Sequence, residues 1–332
     1  MMNSMTMKRN LKKTLLFAAL VVGLFPISSF GPGPGLYHPR TALHTIIIDP
    51  GHGGSDTGAE GQITNEKTVV LAISLKLGKL ITDAFPDIRV VYTRTTDEMP
   101  GGGTLKQGLR YRADLANREK GDLFICVHAN SNGHPAGQYE VRHVTGYKYV
   151  KKGSRKRKVP IYDYETVTNK TVGTTSYIWK AMWGGYKSNV ISGNSDDGSG
   201  EGGENMGDST ATTQDLTSPE ARIKAQLYEK KYFANSAFFG QLVQDEFIRL
   251  GRESEGVRQR EKGIWVLEAT GMPSVLIETG YVTNTEEEKY LDSEEGQNEI
   301  AQGIFNAFVK YKNSVEGGGS RPASGSDSTT TR

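Results

Sequence analysis

Between residues 45 and 128 the chain switches repeatedly between strand-like and helix-like hydrophobic spacing, and this alternation limits its fold more than any other feature. Residues 45–49, TIIID, are a β-favouring run that ends in a Pro/Gly turn, so a buried strand is expected there. Over 66–84, Val69, Val70, Ile73, Leu77, Leu80 and Ile81 fall on one helical stripe. Residues 88–93 read as a strand, 105–120 as a helix with a basic face, 122–128 as a strand and 137–144 as another. A β-α-β-α-β order predicts an α/β fold with parallel pairing. Further along, the pattern predicts a helix over 219–249, strands at 263–267 and 274–278, and closing helices at 285–291 and 294–310. The expected fold class is a single three-layer α/β domain with a mostly parallel central sheet flanked by helices, plus a long insertion.

The ends are of a different character. Lys8, Arg9, Lys12 and Lys13 precede an apolar run at 14–25 that is short for a membrane span. Residues 1–30 therefore read as a secretory signal peptide, with an uncleaved anchor as the alternative. Residues 31–43, which include GPGPG, read as a linker, 44–312 as the catalytic domain and 313–332 as a flexible tail. The net charge of +2 argues neither for nor against an anionic partner. One cysteine, Cys126, excludes an internal disulfide, and its apolar surroundings read as packing rather than nucleophilic chemistry.

Histidine is sparse, with His52, His128, His134 and His143 as the candidates for chemistry. His52 and His128 each follow an apolar strand, and in an open α/β sheet ligands bind beyond the strand C-termini. Glu278 ends the apolar run Val275-Leu276-Ile277, where a carboxylate is costly unless paired, protonated or facing a cleft. Glu66 opens the first helix, just after the glycine-rich loop that carries His52. Two His and one Glu would leave an open position on a tetrahedral zinc ion, the pattern of hydrolytic sites. A separate carboxylate, Glu278, would then accept and pass on the proton of the attacking water. Spacing alone leaves structural roles open. Each His could be a hydrogen-bonded structural residue, Glu66 a helix N-terminal charge, and Glu278 the partner of Arg112 or another arginine.

Six segments occur in order: IIIDPGHGGSDTGAEG, NEKTVVLAISLKL, VVYTRTTDE, LKQGLRYRADLAN, DLFICVHANSN and MPSVLIETGYVTNTEEEKYL. Together they resemble the zinc-dependent N-acetylmuramoyl-L-alanine amidases of the amidase_3 type, over about 45–142 and 232–312. The resemblance implies that His52, Glu66 and His128 bind one Zn²⁺ per chain and that Glu278 is catalytic. Cys126 stands where serine is common in the family. The implied reaction is hydrolysis of the amide between N-acetylmuramic acid and L-alanine in peptidoglycan, in cell-wall remodelling or daughter-cell separation. A zinc peptidase acting within the stem peptide, or a non-catalytic wall-binding scaffold, are the alternatives. The implied partner is peptidoglycan, with no nucleic acid, and the chain is expected to be an exported monomer, most simply in a periplasm.

Residues 145–222 have low apolar density and many glycines, and read as a long, partly disordered insertion. The resemblance makes a regulatory role for it one reading, with a solvated loop that shapes the glycan groove as the alternative. A helix within 177–229 would block the site until a protein activator binds, and Glu204 would fill the fourth metal position. Residues 148–158, KYVKKGSRKRK, read as a solvated basic loop or a contact for anionic lipid headgroups or wall-peptide carboxylates. Tyr177, Trp179, Trp183 and Tyr186 read as a small satellite core, with sugar stacking or partner docking as the alternative.

Overall fold

A computed structural model describes residues 42–153, 155–180, 219–260 and 264–317. Residues 1–30, Trp183, Tyr186 and Glu204 lie outside the described residues. The elements run β1 (Thr45–Pro50), α1 (Glu66–Ala84), β2 (Arg89–Tyr92), α2 (Leu105–Arg118), β3 (Leu123–Asn130), β4 (Gln138–Lys152) and β5 (Arg155–Thr168). They continue with β6 (Thr174–Trp179), α3 (Pro219–Arg249), β7 (Ser254–Arg260), α4 (Trp265–Ala269), β8 (Ser274–Tyr281), α5 (Thr285–Asp292) and α6 (Glu294–Gly317). Among the described residues no helix is long and apolar enough to cross a membrane.

Six strands form one sheet in the order β2-β1-β3-β8-β6-β7. Neighbours in the first four are parallel, β6 runs antiparallel to β8, and β7 is parallel to β6. The sheet is mostly parallel and flanked by helices, as the alternating pattern predicts. All six residues of β1 and all eight of β8 are buried, which is how central strands covered on both faces behave. The α1 stripe of Val69, Val70, Ile73, Leu77 and Ile81 packs into the same core as Ile300, Ile304 and Phe308 of α6. The helix starts are fixed locally. The Asn65 side chain accepts from the Thr68 N–H at α1, and Thr104 and Gln107 form a reciprocal capping box at α2.

Several expectations are corrected. The apolar run at 263–267 does not form a strand. Residues Trp265–Ala269 are the short helix α4, which buries Val266, Leu267 and Ala269. A short apolar run does not tell a strand from a buried helical turn. The missing strand is β7, SEGVRQR, an edge strand whose charged residues hide it from an apolar pattern. Residues 145–222 are not one insertion. Residues 145–168 belong to a long β4–β5 hairpin, and 174–179 are the sheet strand β6. Trp179 accordingly lies in the main core against Phe233, not in a satellite cluster. Leu43, in the expected linker, is buried, and its N–H donates to Glu316 Oε1 at 2.8 Å. Glu316 itself lies in α6, which continues to Gly317 through the start of the expected tail.

The place of β6 predicts how deletions behave. Removing residues 145–222 as a block takes out the strand between β8 and β7 and should abolish the cooperative thermal transition seen by circular dichroism. Removing 141–165 with a short glycine joint should leave that transition in place.

Candidate metal centre

The centre is built at the C-terminal edge of β1, β3 and β8. After β1 the chain turns sharply, with His52 at φ 58° and Gly53 and Gly54 also at positive φ. A non-glycine residue in the left-handed region costs about 1–3 kcal/mol and persists only where its surroundings fix it. Here they do. Arg94 Nε donates to the Pro50 carbonyl at 3.1 Å, and its Nη2 donates to Gly51 O at 2.7 Å. Arg112 Nη1 donates to Pro50 O at 2.8 Å, and its Nη2 donates to His52 O. Three successive carbonyls of the turn are thus held by two guanidinium groups. Arg112 is ion-paired with Asp49, both fully buried, and Asp49 also accepts from Thr93 Oγ1 and Cys126 Sγ. Burial alone would raise the Asp49 pKa, but Arg112 and the two hydrogen bonds outweigh it and hold the carboxyl below its ordinary value. The Cys126 thiol is pushed well up by burial and by the Asp49 charge, so it is an inert packing group.

Glu66, the first residue of α1, points into the same edge and is buried. Its Oε2 accepts from the Ala59 N–H at 2.8 Å and its Oε1 from the Ala129 N–H at 3.0 Å. The same Oε1 lies 3.1 Å from His52 Nε2 and 2.8 Å from His128 Nδ1. Burial opposes its charge, but the hydrogen bonds from His128 and His52 dominate and hold the carboxyl far below the usual range. The two imidazole rings sit edge to face, 4.9 Å between centroids. One donor atom each from His52, Glu66 and His128 lie within 4.8 Å of one another, so the three form a group that could hold a metal ion.

The fit to a metal is close. Ligands about 2.1 Å from a tetrahedral ion stand about 3.4 Å apart, a little wider than the two His–Glu separations. His52 Nδ1, the nitrogen turned away from the cluster, lies 2.9 Å from Asp56 Oδ2. A carboxylate behind a ligating imidazole fixes its tautomer and orientation. The surroundings leave no slack. A Cβ on Gly51 would lie 2.5 Å from His128 Cε1, and one on Gly58 would lie 2.5 Å from Glu66 Oε2 and 2.7 Å from His52 Cδ2.

Glu278 stands directly across from His128 in the β3–β8 register. It is buried, its Oε2 has no hydrogen-bond partner among the described residues, and it does not pair with Arg112. Burial pushes its pKa up to about 7, with His128 pulling it down and Glu66 pushing it further up. A buried carboxylate oxygen without a partner is a feature of functional sites rather than of packed cores. His134 and His143 are elsewhere. His134 stacks on Tyr139, and His143 pairs with Glu165 on the hairpin.

The residues a sequence reading passes over are Asp56, Arg94 and Asp49. Asp56 had a signal, since it follows His52 by four residues within a turn that must fix that ring. Glu288 of α5 also acts from a distance. Its Oε1 accepts from the N–H groups of Ile63 and Thr64 at 2.7 and 3.0 Å and pins the loop that leads into Glu66.

A family model described as N-acetylmuramoyl-L-alanine amidase matches residues 46–310. The N-acetylmuramoyl-L-alanine amidase AmiC of Escherichia coli O6:H1 is 27% identical over 291 residues, which cover 86% of this chain and 57% of that protein. The amidase AmiA of Salmonella typhimurium is 24% identical over 322 residues, 94% of this chain and 93% of that protein. The chain spans little more than half of AmiC and about a third of other curated relatives it matches. The fold is like that of the CwlD amidase from Clostridioides difficile, solved in complex with the GerS lipoprotein. The TM-score is 0.51 and the identity 22%, over 81% of this chain and 98% of that one.

The buried pair under the turn sets an acid limit. Because the folded-state pKa of Asp49 is depressed, its contribution to stability is complete above the unfolded value of about 3.9 and is lost as pH falls through the folded value. The urea midpoint should hold from neutral pH to about pH 5 and then fall below about pH 4. Arg112→Leu leaves Asp49 buried and unpaired, and should cost about 3–5 kcal/mol in urea denaturation at neutral pH.

Proposed function

The chain belongs to the N-acetylmuramoyl-L-alanine amidase family, and from that premise we propose that it is a zinc-dependent hydrolase of the amide joining N-acetylmuramic acid to L-alanine in peptidoglycan. The observation that carries the proposal is the meeting of His52, Glu66 and His128 at one sheet edge with Glu278 across from His128 in register. His52 Nε2, Glu66 Oε1 and His128 Nδ1 are the proposed ligand atoms. Zinc bound there would supply Lewis acidity toward the amide carbonyl and would make a water acidic enough to lose its proton near neutral pH.

The residues of the chain do the rest. Glu66 carries a negative charge into a buried place and would partly neutralise a bound cation. The Asp56 carboxylate, 2.9 Å from His52 Nδ1, would hold that ring with Nε2 turned toward the metal. The Glu278 carboxylate takes the proton of the attacking water and returns it to the leaving nitrogen of L-alanine. Its partnerless oxygen suits this work, because no internal hydrogen bond has to break before the proton moves. Cleavage at the lactyl amide frees the stem peptide with a new L-alanine amino terminus.

A zinc peptidase acting within the stem peptide would use the same donors and is separated by its product. The wall-binding scaffold is disfavoured, since all four positions carry competent side chains. Residues 1–30 support export, with the periplasm as the proposed compartment. The fold likeness to CwlD, which was solved with a lipoprotein, supports a protein partner as regulator. Within residues 177–229, the stretch that joins β6 to α3 is its proposed target, with Glu204 as the resting ligand.

The test is digestion of purified peptidoglycan by the zinc-loaded mature chain, with released amino termini identified. A new N-terminal L-alanine is expected, and termini from other stem residues would transfer the assignment to the peptidase. Glu278→Gln should retain zinc by elemental analysis while the rate falls by about 10²–10⁴-fold. His52→Ala should lose zinc.

A further inference from the structure

The β4–β5 hairpin stands outside the sheet and outside the proposed chemistry. Its strands form a separate two-stranded sheet and pair from Gln138↔Thr168 out to Lys152↔Arg155. At about 3.3 Å per residue the ribbon is about 45 Å long, far beyond an ordinary strand. A two-stranded ribbon alone is marginal in water, yet this one leaves nearly every side chain exposed.

Its chemistry is segregated. Seven of the eleven residues 148–158 are Lys or Arg, and no Asp or Glu occurs between Glu140 and Asp163. Since the whole chain carries only +2, the remainder is net acidic. Directly paired residues share a face, so Tyr147 with Pro160, Tyr149 with Lys158 and Lys151 with Lys156 lie on one side. Tyr162 and Tyr164 continue that side along β5 by the two-residue repeat. Tyr147, Tyr149 and Tyr164 are 57%, 71% and 59% exposed. Two cations lie over rings of this side, Lys158 Nζ 4.0 Å from the Tyr147 centroid and the Arg142 guanidinium 4.8 Å from that of Tyr162. Val150 and Ile161 are exposed apolar side chains on the ribbon as well.

We propose that this hairpin is a docking arm for an anionic lipid bilayer. A cluster of Lys and Arg is drawn to anionic headgroups within a Debye length of the surface. Tyrosine is enriched where a bilayer meets water, with its ring among the headgroups. The long stems of Lys and Arg lie along apolar surface while their charges stay in the polar layer. A soluble polyanion would engage the cations but leave the tyrosines, Val150 and Ile161 in water. A two-stranded ribbon also has no cleft in which to enclose a sugar or peptide. The base of the arm is tied to the edge that carries the metal centre, since the Gly137 N–H donates to Thr283 O and the Asn169 N–H to Gly137 O. Docking by the tip would hold the centre about an arm's length, roughly 45 Å, from the bilayer.

The experiment is co-sedimentation of the mature chain, from residue 31 onward, with vesicles of phosphatidylglycerol or of phosphatidylcholine over a range of salt. Binding to phosphatidylglycerol that weakens as salt rises, with little binding to phosphatidylcholine, is expected. The combined Lys151→Gln, Lys152→Gln and Arg157→Gln variant should bind at least about tenfold more weakly. Lys151→Arg with Lys152→Arg should bind like the parent, which separates lost charge from a misfolded arm. Tyr149→Ser should weaken vesicle binding at unchanged net charge. Peptidoglycan hydrolysis should be the same in all of these variants. Absence of binding to phosphatidylglycerol vesicles, equal binding by the triple variant, or binding to soluble polyglutamate in place of vesicles would each overturn the proposal.

Discussion

The candidate metal centre depends on a buried pair that touches none of the proposed ligand atoms. Asp49 and Arg112 sit beneath the turn that carries His52, and with Arg94 they hold three consecutive backbone carbonyls. Those carbonyls follow the last ladder bonds of a central strand, and a buried carbonyl without a donor is costly. A peptide turn at this place has few other donors. Two arginines supply them, and Asp49 makes one of those charges tolerable inside. A buried ion pair adds little net stability compared with apolar packing. What this one adds is position. It fixes the left-handed backbone at His52 and so aims one imidazole, and removal of either partner leaves a charge stranded in the core.

From that fixed point the sheet order does the assembly. β1, β3 and β8 are neighbours, so residues in or just beyond their C-terminal ends converge without any long-range search. β1 delivers His52 through its turn, β3 delivers His128, and β8 delivers Glu278 opposite His128. Glu66 comes from a helix start instead. That origin explains how a carboxylate this buried stays charged, since two backbone N–H groups and two imidazoles meet its oxygens. The glycines at 51 and 58 are the steric counterpart, because a methyl group at either position would occupy the space of a ring or a carboxylate.

That His52, Glu66, His128 and Glu278 stand at one sheet edge was legible in the sequence, because each belongs to a strong periodic element, an apolar strand or the start of an amphipathic helix. The supporting groups were not. Asp49 looks like the last residue of a strand, and Arg94 and Arg112 look like surface charges on a loop and a basic helix. Only the fold turns them inward. The errors in the fold have the same source. β7 and β6 are sheet strands of polar or mixed composition, and their membership is decided by pairing with β8 and with each other rather than by their own pattern. α4 is the reverse case, an apolar run short enough to satisfy either periodicity. The basic segment 148–158 had a visible composition and an invisible shape, since runs of like charge are read as solvated loops.

That shape bears on how the chain manages its charge. A ribbon carrying so many like charges repels itself, and the cross-strand pairs at its tip, Lys151 with Lys156 and Lys152 with Arg155, set cation against cation. Nearer the base the pairs change character. Val144 faces Tyr162, Arg142 lies over the Tyr162 ring, and His143 meets Asp163 across the strands and pairs with Glu165. The arm is therefore held at its root by attractive contacts and is destabilised at its end. Such an end gains from an anionic surface twice, by the new attraction and by relief of its own repulsion. The acidic remainder of the chain is repelled by the same surface. Both effects orient the molecule alike, tip toward the negative surface and metal centre away from it.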